Sequence, residues 1–98
     1  MNVTVRRDLR TVADCTREIN RLTKILESTH PTVSPVQRLI HTSAKQDALL
    51  RRSRMRAELA EGAEGARAAR LSAGSRADAL EAETMGRQYK RLSRRSRP

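Results

Sequence analysis

Arginine is the side chain of this sequence best suited to bind a partner, and it is concentrated in two clusters. The first is the segment RRSRMR at residues 51–56, and the second lies within GRQYKRLSRRSRP at residues 86–98. Guanidinium groups donate paired hydrogen bonds to phosphate and carboxylate groups. We therefore predict an anion-binding role, with RNA as the first candidate ligand, for Arg51, Arg52, Arg54, Arg56, Arg87, Lys90, Arg91, Arg94, Arg95 and Arg97.

The distribution of charge supports that prediction. The chain has 21 Lys and Arg residues against 11 Asp and Glu residues, which gives a formal net charge of +10. Such an excess favours nucleic acid, an acidic protein surface or anionic lipid as the partner. For residues 51–56 a solvated face is the alternative, and the scarcity of acidic neighbours favours a partner. A peripheral membrane contact is disfavoured, because no face of the chain joins bulky apolar residues to the basic segments.

Cys15, His30 and His41 are the remaining side chains with potential for catalysis or metal binding. A catalytic cysteine needs an activating base, and a metal site normally needs three or four convergent ligands. The two histidines are separated by two prolines, and the chain has no second cysteine. It also has a single aromatic residue and no glycine-rich phosphate loop. We therefore expect no enzymatic activity, metal, cofactor or small-molecule substrate.

Helices must position these side chains, and the clearest helical signal lies in residues 1–30. Apolar residues recur there at alternating spacings of three and four, which places them on one face of an amphipathic helix. The helix is predicted to begin near Thr4 or Thr11 and to end near Ser28. We predict that its apolar face docks onto a protein partner through Val12, Cys15, Ile19, Leu22 and Leu26.

Residues 31–35 are predicted to form a proline-containing turn that ends this helix. Proline lacks an amide donor and pushes the residue before it out of helical geometry. Ser34, Pro35 and Gln37 then give the start of a second helix. Serine is a good N-cap, proline suits the first helical position, and glutamine three residues after the cap completes a capping box.

Residues 36–85 are predicted as a long helix rich in alanine and arginine, followed by a basic tail at residues 86–98. Two interpretations remain open near Gly62 and Gly65. Each interior glycine costs a helix about 1 kcal/mol relative to alanine, which favours a break. A seven-residue spacing of small and apolar side chains favours a continuous helix with a narrow seam. That seam consists of Leu59, Ala66, Ala73 and Leu80.

The predicted fold class is all-α: a helix, a proline-containing turn, a long helix in an extended hairpin or coiled coil, and a basic C-terminal tail. Most of the long helix would lack a partner within the chain. Because packing normally supplies most of the stability of a helix, other chains are expected to complete the core.

These features predict a non-enzymatic structural or accessory subunit of a large multi-subunit assembly, which docks by an amphipathic helix and contacts an anionic surface, RNA first. The alternative is a coiled-coil adaptor or scaffold that binds other proteins without nucleic acid, in a tether, a cytoskeletal lattice or the periphery of a membrane complex. One cysteine and the absence of an apolar secretory signal predict an intracellular, reducing compartment, the cytoplasm or the mitochondrion, rather than secretion.

Overall fold

The computed structural model describes residues 8–28 and 34–95, and every regular element in that part of the chain is an α-helix. Helix α1 spans Val12–Glu27, α2 spans Pro35–Glu61 and α3 spans Gly65–Arg95. The all-α prediction is confirmed. Thr4, His30, Arg97 and most of the proline turn lie outside the described residues.

Helix α1 begins at the later of its two predicted starts, where Thr11 is the N-cap. The Thr11 hydroxyl accepts a hydrogen bond from the Asp14 N–H at 3.0 Å, and the Asp14 carboxylate accepts one from the Thr11 N–H at 3.1 Å. The Arg10 N–H also donates to this carboxylate at 3.1 Å. That bond is the main cause that holds the pKa of Asp14 below its usual range.

Helix α2 begins at the predicted capping box. The Gln37 N–H donates to the Ser34 hydroxyl at 3.1 Å, and the Ser34 N–H donates to the Gln37 side-chain oxygen at 2.9 Å. Pro35 occupies the first turn, where its missing N–H costs no intrahelical hydrogen bond. The prediction made from these three residues is confirmed.

The chain reverses direction between α2 and α3, so of the two interpretations left open by the sequence the broken helix is the one that the structure has. Helix α2 ends at Glu61, and α3 begins at Gly65, whose φ of 59° lies in the left-handed region that glycine adopts without strain. The seven-residue seam does not form, because Leu59 is 45% exposed and Leu80 is 64% exposed. The glycines permit a turn, and the turn lets a different face of α3 pack on α2.

Helix α2 lies between the other two helices and is antiparallel to both. Arg38, near its start, donates to the carbonyls of Leu26 and Ser28 at the end of α1, at 3.1 and 2.8 Å. All three helices contribute to one apolar core, which corrects the expectation that the long helix lacks a partner within the chain. The core cluster consists of Cys15, Ile19, Ala48, Leu49, Ala82 and Met85.

Small residues let α2 and α3 approach closely. The Ser53 hydroxyl donates to the Ser75 carbonyl at 2.8 Å, and the Ser75 hydroxyl donates to the Ser53 carbonyl at 2.7 Å. A Cβ atom at Gly86 would lie 2.8 Å from the side-chain nitrogen of Gln46. The close approach fixes the register of the hairpin, and this register decides which charged residues meet.

Candidate anion-binding surfaces

The residues predicted to dock onto a protein partner face the core of the chain itself. Cys15 and Leu22 are fully buried and Ile19 is 5% exposed. Val12 and Leu26 are half-buried at the margin of this surface. In this fold, the buried part of the apolar face of α1 is therefore covered by α2 rather than open to a partner.

Arg52 joins all three helices through a buried charge network, although the sequence predicted that it binds an external anion. Its Nε and Nη2 atoms donate to the Asp78 carboxylate on α3 at 3.0 and 2.7 Å, and its Nη1 atom donates to the Thr16 hydroxyl on α1 at 3.0 Å. Arg56 donates to the same carboxylate at 3.1 Å. Asp78 is only 2% exposed, so two arginines compensate its buried charge.

The other two cations of the first cluster lie at the surface. The Arg51 Nε atom lies 3.0 Å from the Asp47 carboxylate one turn earlier. Arg54 is exposed and forms no ion pair within the described part of the chain. The first cluster is thus divided: Arg52 belongs to the interior, Arg51 to a surface pair, and Arg54 to the solvent-facing side of α2.

The second cluster belongs to α3, which extends to Arg95. Residues 86–95, predicted as part of a basic tail, therefore form the last third of this helix. Its five described cations are all exposed, and no carboxylate pairs with them in the described chain. Their spacing of three and four residues gathers them into an arc of about 140°. This arc, centred opposite the side of α3 that packs on α2, is named the outer basic face: Arg87, Lys90, Arg91, Arg94 and Arg95.

An open apolar groove lies between the first half of α2 and the last turns of α3, on the side of α3 away from the outer basic face. Tyr89, the single aromatic residue, is 39% exposed in its wall. Val36 and Ile40 of α2 line it and are 62% and 56% exposed. The groove and the outer basic face thus lie on different sides of α3, and none of the five cations lines the groove.

Cys15 and His41 both have pKa values shifted by burial. The Cys15 thiol lies 3.9 Å from the Met55 sulfur, and burial raises its pKa, so the thiol stays protonated. Burial, with a smaller contribution from Arg21, lowers the pKa of His41. Among the described residues, no three His, Cys, Asp or Glu side chains form a group able to hold a metal ion.

Asp78 is the residue that the sequence reasoning missed. Asp78, Ala82, Met85 and Tyr89 follow one another at spacings of four, three and four residues. This heptad pattern could have marked Asp78 as a position that faces another helix. The competing seven-residue pattern is entirely apolar, whereas this one begins with a carboxylate, and the apolar pattern led to the wrong face of α3.

The chain matches no known protein family, no curated protein and no solved structure. Within residues 8–28 and 34–95, no helix combines the length and the apolar character needed to cross a lipid bilayer.

Proposed function

We propose that this protein is a non-enzymatic accessory subunit of a multi-subunit assembly and that it contacts RNA with the outer basic face of α3. The observation that carries the proposal is the set of five exposed cations on one side of one helix, none of which pairs with a carboxylate of the described residues. They lie opposite the core-facing side, so an anionic surface can approach them without disturbing the fold.

RNA suits this face better than a discrete anion. Successive cations on a helix follow a line, as phosphates do along a nucleic-acid strand, and each contact releases counterions. Tyr89 is 39% exposed on the other side of the same turns of α3, where a base of a strand that passes around the helix can stack on it. Arginine adds planar, paired hydrogen bonds to phosphate oxygens.

A salt titration of binding to a single-stranded RNA oligonucleotide tests the proposal. If all five cations contact phosphates, the logarithm of affinity should fall with the logarithm of salt concentration with a slope of about −3.5. The double variant Arg91→Gln/Arg94→Gln should reduce the magnitude of that slope by about 1.4. A matched control, Lys24→Gln/Arg54→Gln, removes two exposed cations elsewhere and should leave the slope unchanged. A slope near zero, or an equal loss in both variants, would contradict the proposal.

The second candidate function is a protein-binding adaptor that uses no nucleic acid. It is favoured by exposed apolar side chains on α2, where Val36, Ile40 and Leu50 are 62%, 56% and 36% exposed and the first two line the groove beside α3. In that case Ile40→Asp should release the protein from its native complex, whereas nuclease treatment and Arg91→Gln/Arg94→Gln should not. Release by nuclease alone would decide for RNA.

A further inference from the structure

The α2–α3 hairpin carries another basic feature on the part nearer its turn. An open cleft there is lined by one arginine of α2 and two arginines of α3, together with a leucine and a glycine. We name it the arginine cleft, and its lining residues are Arg56, Arg67, Arg70, Leu71 and Gly74. It shares no residue with the outer basic face, so an inference about it is independent of the proposed function.

Arg56 is held in place before any ligand arrives. Its Nη1 atom donates to the Asp78 carboxylate at 3.1 Å, while its side chain remains 25% exposed. Asp78 is in turn fixed by two hydrogen bonds from Arg52. A guanidinium that is already ordered loses less conformational entropy on binding than a free surface arginine does.

Gly74 provides the space that Arg56 occupies. A Cβ atom at this position would lie 3.0 Å from the Arg56 Nη1 atom and 3.2 Å from its Cδ atom. A glycine inside a helix costs about 1 kcal/mol relative to alanine. The glycine therefore weakens α3 locally, and in exchange Arg56 can lie across the helix and reach Asp78.

Arg67 and Arg70 add charge that no carboxylate of the described residues neutralises. Both are exposed, and neither forms an ion pair within the described part of the chain. Asp78, the carboxylate that Arg56 contacts, is already shared with Arg52. The cleft thus combines one fixed guanidinium with two unpaired ones.

We propose that the arginine cleft binds a phosphate group. Phosphate has several strong acceptor oxygens at tetrahedral positions, which suits guanidinium groups that converge from two helices. A monovalent carboxylate would satisfy fewer of these donors and less of the charge. The phosphate can belong to a free pyrophosphate-like anion or to a phosphodiester of a nucleic acid, and the two sources are distinguished experimentally.

The test uses the full chain and follows the arginine side-chain Nε–H signals by NMR during titration. Inorganic pyrophosphate is the first probe, and a single-stranded RNA oligonucleotide is the second. Saturable shifts of the Arg56 signal with pyrophosphate support the site with a free anion as ligand. Saturable shifts with RNA alone support it with a phosphodiester as ligand.

Variants assign the binding to the cleft. Arg67→Gln/Arg70→Gln should lower the affinity for the probe that binds by about tenfold or more, because two charge-assisted contacts are lost. Arg54→Gln/Arg76→Gln removes two exposed cations outside the cleft, so its affinity should stay within about twofold of wild type. Gly74→Ala should also weaken binding while helix content, measured by circular dichroism, is retained. The proposal is overturned if neither probe shifts the Arg56 signal, or if the cleft variant and its control lose affinity equally.

Discussion

Two groups of arginines in this chain have opposite environments, although both come from dense basic segments. In α2, the Arg52 side chain is 13% exposed and bonds to a carboxylate that is 3% exposed. In the last turns of α3, Arg87, Arg91 and their neighbours are exposed and without a carboxylate partner among the described residues. Position on the helix, rather than local charge density, separates the two groups.

The difference shows how far composition can be trusted as evidence of function. Arg52 and Arg56 are one turn apart on the side of α2 that meets α3, where Asp78 neutralises them. The cations of α3 lie on the side that meets nothing in the chain. A basic segment is evidence for an anionic partner only when the fold leaves its side chains unpaired.

The largest expected effect comes from removing the shared carboxylate. Asp78→Asn leaves the largely buried Arg52 and the partly exposed Arg56 without their shared counter-charge, so the free energy of unfolding should fall by about 3–5 kcal/mol. Urea denaturation measures this value. Glu83→Gln, an exposed acid on the same helix, is the control and should change stability by less than about 0.5 kcal/mol. Similar effects in the two variants would mean that the buried network does not stabilise the fold.

A buried and an exposed leucine allow the same comparison of environments without a change of charge. Leu22 is fully buried, whereas Leu80 is 64% exposed. Leu22→Ala should lower the free energy of unfolding by about 3 kcal/mol, because it leaves a cavity in the core. Leu80→Ala should change it by less than about 0.5 kcal/mol. A large effect at Leu80 would restore the seven-residue seam and contradict the α2–α3 packing.

A direct comparison substitutes one arginine from each group. Arg52→Gln removes three hydrogen bonds that involve the charged guanidinium, but Asp78 keeps its bond to Arg56. We expect a loss of about 2 kcal/mol in the free energy of unfolding. Arg91→Gln should leave stability unchanged and weaken only RNA binding. Equal stability losses in the two variants would contradict the distinction between a stabilising arginine in the α2–α3 interface and an exposed arginine at the end of α3.

The sequence was informative where the interactions are local. The capping box at Ser34 and Gln37, and the period of the apolar residues in α1, involve neighbours within a few turns, so residue type and spacing were sufficient. Asp78 and Arg52 are 26 positions apart, and their contact depends on the reversal at Gly62–Gly65. Two patterns of similar strength competed on α3, and only long-range packing decides between them. The same packing determines which arginines bind Asp78 and which remain exposed to a partner.

The smallest expected effect is a pH dependence at His41, on the side of α2 near α1. Burial is the main cause that lowers its pKa in the folded state, so the unfolded chain binds the proton more tightly. The stabilising contribution is therefore complete above the ordinary pKa of 6.5 and is lost as the pH falls below it toward the folded-state pKa. Urea denaturation between about pH 7.5 and pH 5 should show a decline in stability that His41→Gln reduces, since most carboxyl groups remain ionised in this range. If the decline is unchanged in the variant, the pH dependence belongs to other groups. A reduced decline would show that partial burial in α2 destabilises the protonated His41 side chain, which Asp78 does not contact and so does not neutralise.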